Sequence, residues 1–161
     1  MTLAGQLAPL VARHWLLVGV GSDLRGDDAF GPLLARRLAA DGLPALDAGT
    51  APERETGPIL RSGAEVLFFA DVGQLGEPAG TLRLLAPAAV LPGGTSTHDA
   101  SLSLLVTYLS AQRPLTVRIL AVEPARKGLG RPVSPQVAAA VDCAAKAFRE
   151  AAGLGHARAG S

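Results

Sequence analysis

Three short polar segments of this 161-residue chain carry side chains capable of acid–base or metal chemistry. The first is GVGSDLRGDDAFG, residues 19–31, with the adjacent carboxylates Asp27 and Asp28. The second is Asp71, which closes the apolar run EVLFFAD. The third is Ser96-Thr97-His98-Asp99. Two carboxylates and one imidazole brought together form an O,O,N donor set, which borderline divalent ions such as nickel and zinc accept. Three protein ligands with an open position suit catalysis or metal transfer better than a closed structural site. The same residues also have plain structural uses. Asp27 and Asp28 fall where a helix begins, and carboxylates there cap amides and complement the dipole. Asp71 can bond turn amides. His98 can be an ordinary surface histidine beside Asp99, which reads as an N-cap. Cys143 reads as a packing residue near the apolar face of a helix. Gly19-x-Gly21 after a strand invites a phosphate-binding reading, but the next glycine is Gly26 and no GKS/T follows.

The flanking sequence supplies elements that can bring these segments together. Trp15–Val20 and Glu65–Asp71 are short apolar runs of the kind buried on both faces of a parallel sheet. Leu43–Asp47 and Leu115–Val122 read as further strands. Thr81–Ala86 lies within hairpin reach of the FFAD strand and is expected antiparallel at a sheet edge. Phe30, Leu33, Leu34 and Leu38 stripe one helix, stopped by Gly42. Leu102, Leu105, Val106 and Leu109 stripe a second. Glu53–Arg61 reads as a short helix interrupted by Gly57-Pro58. Ser134-Pro135 is an N-cap followed by a first-turn proline, opening a helix lined by Val137, Val141, Ala144, Ala145, Phe148 and Ala152. Alternating strands and helices predict an α/β three-layer sandwich: a mostly parallel, twisted sheet of about five strands, one of them an antiparallel edge, with helices on both faces. In such folds ligands bind beyond the carboxyl ends of the strands. All three polar segments follow strand ends or precede a helix, so the fold gathers them at one edge. Residues 1–152 read as a single domain and 153–161 as a flexible tail. Pro87–His98 reads as a long loop.

Composition narrows the function. A net charge of +1, from 15 basic and 14 acidic residues, gives no general reason to bind nucleic acid or an anionic membrane. Six aromatic residues are too few for base-stacking platforms. One cysteine excludes an intramolecular disulfide or an all-Cys zinc site. The three histidines form no HExxH pair. No apolar run approaches the roughly 20 residues of a membrane helix, and the N-terminal apolar stretch lacks a basic leader. A soluble cytoplasmic protein is the expectation.

The ordered motifs resemble a known family. Gly19-Val20-Gly21, Leu24-Arg25-Gly26-Asp27-Asp28 and Gly31-Pro32 resemble the signature of hydrogenase maturation endopeptidases. Those enzymes trim the C-terminal extension from the large-subunit precursor of nickel–iron hydrogenases. The resemblance continues through Asp71, Gly80-Thr81, Ser96-Thr97-His98, Glu123-Pro124, Gly128 and Val133-Ser134-Pro135, covering nearly the whole chain. It implies that Asp28, Asp71 and His98 form the nickel-binding and catalytic trio. Asp27 would support them from behind or by capping, and Gly21 and Gly26 would let the loop approach a peptide. The nickel would belong to the precursor, with no resident organic cofactor. Either the nickel or a carboxylate would activate the attacking water. The implied partner is the precursor, with no nucleic acid or membrane, and the protein is expected to be a monomer. The chain departs from the family at Ser22-Asp23 (usually Asn), Ala29 (usually Gly) and Val72 (commonly Ala). The loops 87–94 and 126–131 are candidates for precursor contact. Two other functions stay open: a metal-sensing assembly factor that does not cut, and a nucleotide-binding α/β module using GVGS and the helix start.

Overall fold

A computed structural model of the chain describes residues 1–90 and 99–154. The elements in order are α1 (Leu3–Val11), β1 (Trp15–Gly19), α2 (Phe30–Ala40), β2 (Ala45–Asp47), α3 (Thr56–Ser62), β3 (Val66–Val72), β4 (Leu82–Leu85), α4 (Pro87–Val90), α5 (Asp99–Gln112), β5 (Thr116–Val122) and α6 (Pro135–Ala151). The sheet runs β2-β1-β3-β5-β4. The first four are parallel, and β4 pairs antiparallel with β5. This is the expected sandwich. β3 is buried at every position, Asp71 included, as expected of a central strand covered on both faces.

Strand parity divides the core. Trp15, Leu17, Val66, Phe68, Ala70, Val72, Leu120 and Val122 face α1, α2 and α6. Leu16, Val18, Leu67, Phe69, Val117, Ile119 and Ala121 face α3 and α5. On the first face Trp15 stacks on Phe148 with ring centroids 5.3 Å apart, and Phe68 meets both edge-on. Close packing of α2 on the sheet depends on two glycines. A Cβ at Gly31 would fall 2.3 Å from the Ala70 carbonyl oxygen, and one at Gly19 would fall 2.2 Å from the Gly31 carbonyl oxygen.

Five details differ from the sequence reading, the first being that residues 87–90 of the expected long loop form α4. The N-terminal stretch forms α1, capped by the Thr2 hydroxyl accepting from the Gly5 N–H at 3.1 Å. Its signal was present as Leu3, Leu7, Leu10 and Val11, an i, i+4, i+7, i+8 stripe overshadowed by the neighbouring apolar run. β4 is antiparallel and at the edge as expected, but its partner is β5 rather than β3, because β1 and β5 already occupy both sides of β3. Gly57-Pro58 does not interrupt α3, since both fall in its first turn, where a missing N–H costs little. Cys143 is exposed, not packed. It lies two residues beyond buried Val141, about 200° around the helix. Residues 91–98 of the long loop and 155–161 of the tail lie outside the described residues.

Phe68→Ala removes the ring that joins Trp15 to Phe148. It is expected to cost about 3–5 kcal/mol of stability. Urea denaturation followed by the fluorescence of Trp15, the sole tryptophan, measures this directly.

Candidate active site

The chain leaves β1 for β2 on one side of the sheet and later returns to β3 on the other. That reversal is the topological switch point, where open α/β sheets bind ligands. Asp28 and Asp71 both stand there. Gly19 of β1 pairs with Ala70 of β3, the residue before Asp71. Asp28 lies in a 3₁₀ turn, Gly26–Ala29, that packs against β3. Both side chains are buried, 4% and 1% exposed. An Asp28 carboxylate oxygen, Oδ2, accepts the Ser22 N–H at 2.9 Å. Asp71 Oδ1 accepts the Val72 N–H at 2.8 Å. Asp71 falls on the strand parity of Leu67 and Phe69, the face that α5 covers. Gly21 makes the turn possible. Its φ is +143°, and a Cβ there would sit 1.9 Å from the Asp28 carbonyl oxygen.

Asp27 does something its position in sequence does not reveal. It makes no cap on its own turn. Instead its fully buried carboxylate reaches the distant segment 125–134. Oδ2 accepts from the Ala125 N–H at 2.8 Å, the Arg126 N–H at 2.9 Å and the Ser134 hydroxyl at 2.9 Å. Oδ1 accepts from the Ser134 N–H at 2.7 Å. Ser134 in turn caps α6, accepting from the Val137 N–H at 3.3 Å. Burial pushes the Asp27 carboxyl upward. The donors from Arg126, Ser134 and Ala125 together outweigh that and hold it below its ordinary value. Asp27 is therefore a clamp between the turn after β1 and the segment that leads into α6.

Of the predicted trio, the fold brings Asp28 and Asp71 to one edge. His98 lies outside the described residues, and so does the side chain of Asp99, which opens α5. Among the described residues no group of three His, Cys, Asp or Glu side chains is placed to hold a metal ion. Gly26 supports the turn, as its φ of +59° and its approach to Arg126 require: a Cβ there would lie 3.0 Å from the Arg126 carbonyl oxygen. Glu123 was noted in sequence only as a family-like residue. Its carboxylate accepts the Leu75 N–H and ties the end of β5 to the segment after β3. The phosphate reading of GVGS loses its donors. The N–H groups of Gly21, Ser22, Gly26, Asp27 and Asp28 bond Gly49, Asp28, Arg131, Arg126 and Arg25. Two carboxylates also stand where an anion would bind.

Fold and geometry thus define an α/β protein with buried carboxylates at the carboxyl edge of its sheet. The comparisons sharpen this. Residues 32–151 match the family model HycI, hydrogenase maturation protease. The hydrogenase 3 maturation protease of Escherichia coli K12 is 28% identical over 131 residues, covering 79% of this chain and 83% of that protein. The crystal structure of the [NiFe] hydrogenase maturation protease HycI from Thermococcus kodakarensis superposes with a TM-score of 0.82. It is 25% identical and covers 92% of this chain and 99% of that one. The solution structure of the endopeptidase HycI from Escherichia coli gives a TM-score of 0.73 at 25% identity, covering 88% and 90%. The chain belongs to the hydrogenase maturation protease family. It is accordingly a hydrolase acting on peptide bonds.

Asp27→Asn keeps the side-chain volume but turns one acceptor into a donor facing other donors. At neutral pH it is expected to cost about 1–3 kcal/mol. Because folding lowers the Asp27 pKa, its contribution is full above the unfolded value and is lost as pH falls through the folded value. The gap between wild type and variant therefore narrows below about pH 4. Urea midpoints at neutral and acid pH measure it.

Proposed function

We propose that this protein removes the C-terminal extension of a hydrogenase large-subunit precursor after nickel insertion, using Asp28, Asp71 and His98 to read the substrate's nickel. The observation that carries this reading is that two buried carboxylates, Asp28 in the turn after β1 and Asp71 at the end of β3, stand at the carboxyl edge of neighbouring parallel strands. His98 directly precedes Asp99, the first residue of α5, and α5 covers the sheet face whose strand parity Asp71 shares. Membership of the protease family supports the reaction class.

The chemistry follows from the donor set. Two carboxylate oxygens and an imidazole nitrogen satisfy part of a nickel ion's coordination, leaving positions for the thiolates that hold it in the precursor. Engagement of the site is then conditional on metal loading, so a nickel-loaded precursor is favoured over an unfinished one by a difference in binding energy. Anchoring the precursor through its own metal places the scissile bond beside the site. Hydrolysis adds the water oxygen to the carbonyl carbon, breaks the C–N bond and delivers a proton to the departing amine. Asp28 or Asp71 would accept the water's proton as general base. The partner is the precursor protein, the nickel arrives with it, and the reaction belongs in the cytoplasm, where no membrane span is needed. Among the described residues no helix is long and apolar enough to cross a membrane.

Purified protein is expected to cleave nickel-loaded precursor and to leave the metal-free form intact, read by gel shift and mass spectrometry. Asp28→Asn, Asp71→Asn and His98→Ala should each abolish processing with unchanged circular dichroism. Wild-type processing by all three variants would overturn the trio. Equal cleavage of the metal-free precursor would remove the nickel requirement and leave a protease. Metal-dependent binding without any cleavage would favour an assembly factor instead.

A further inference from the structure

We infer that the two loops joined by Asp27 form a preformed docking rim for an acidic, apolar segment of the precursor, which binds beside the site whether or not nickel is present. The inference rests on the precursor being the substrate, as proposed above. The rim consists of residues 22–27 and 124–132. Besides the Asp27 clamp, they are laced by backbone bonds: Gly130 N–H to Leu24 at 2.8 Å, Gly26 N–H to Arg131 at 3.0 Å and Asp27 N–H to Arg126 at 3.0 Å. Two loops cross-bonded in this way bind without a large ordering cost.

The rim presents apolar surface where solvent-exposed loops normally do not. Leu24 is 66% exposed and Leu129 is 71% exposed. They flank a shallow groove of about 380 Å³ that Asp23, Gly130, Arg131 and Pro132 complete. Exposed apolar side chains grouped on a loop pair suit a partner surface. The charges specify which kind. Among the described residues, Arg25, Lys127 and Arg131 enter no ion pair. The groove's own acid, Asp23, is already held by Arg36 through two bonds of 2.9 and 3.1 Å. Arg126 is occupied structurally, donating to the Pro132 and Val133 carbonyls. What remains to meet a partner is two leucines among three unpaired cations, in a protein whose overall charge is only +1. The complementary occupant carries an apolar side chain flanked by carboxylates. Gly26 joins this rim directly to the turn that bears Asp28, so a segment docked here continues into the site.

The test uses the full chain and the purified precursor in nickel-loaded and metal-free forms. Binding is followed by biolayer interferometry at low and high salt. Wild type is expected to bind both forms, more weakly as salt rises. Lys127→Glu with Arg131→Glu should weaken both by about tenfold or more and remove the salt dependence. The charge-conserving pair Lys127→Arg and Arg131→Lys should restore wild-type binding. Leu129→Ser should weaken both forms without altering the salt dependence. Equal binding by wild type and the charge-reversed protein, salt-insensitive wild-type binding, or no binding of the metal-free form would each overturn the rim. If the double reversal alters the circular dichroism, the single variants Lys127→Ala and Leu129→Ser decide by the same criteria. Loss of discrimination between loaded and metal-free precursor, with salt-sensitive binding intact, would instead sink the nickel-reading trio and leave the rim standing.

Discussion

The carboxyl edge of the sheet depends on one buried carboxylate, Asp27, whose two oxygens are engaged by donors from a distant segment. Asp27 gathers donors from Ala125, Arg126 and Ser134, two of them on the residue that caps α6. A charge buried without partners is costly, and one with a full set of donors is a strong constraint. The constraint is also long-range. It joins the turn after β1 to the segment after β5 and to the N-terminus of the 17-residue helix α6, whose Phe148 packs against Trp15 and Phe68. The position of the next residue, Asp28, is set by that anchoring.

Asp28 and Asp71 show the other side of the balance. Asp71 continues the parity of Leu67 and Phe69. A carboxylate buried at a strand end is costly unless its oxygens find donors, and Asp71 accepts the Val72 N–H. The fold tolerates this at the switch point because the sheet's carboxyl edge is where packing ends and loops begin. Gly21 and Gly31 let backbone approach backbone at the distances this edge needs. The outcome is a rigid seat for two carboxylates, built from elements whose own cores lie on opposite faces of the sheet.

Much of this was legible in the residues. Apolar runs marked β1 and β3, the largely apolar segment around Arg118 marked β5, and 3.6-residue stripes marked α2, α5 and α6. Those signals are local, so they survive without tertiary context. The position of Asp71 at a strand end and of Asp28 after the first strand followed from the same pattern. Other features were hidden for identifiable reasons. α1 was masked by the apolar run that follows it. β4 carries no information about its partner, because hairpin distance in sequence cannot show that both sides of β3 are already taken. Cys143 sits near a stripe whose edge is set by the angle at which α6 lies on the sheet.

The sequence by itself determined the element types, the fold class and the family-like set of polar residues. These depend on periodicity, turn chemistry and residue identity, all properties of neighbours along the chain. Tertiary structure alone decided what Asp27 is for. A carboxylate beside a helix start looks like a local cap. Which donors it meets is fixed by chain segments about a hundred residues away, brought within hydrogen-bond reach only when β1 and β5 flank β3 in one sheet. It likewise decided that residues 22–27 and 124–132 form one surface, since loops at the carboxyl ends of parallel strands become neighbours through the sheet rather than through sequence.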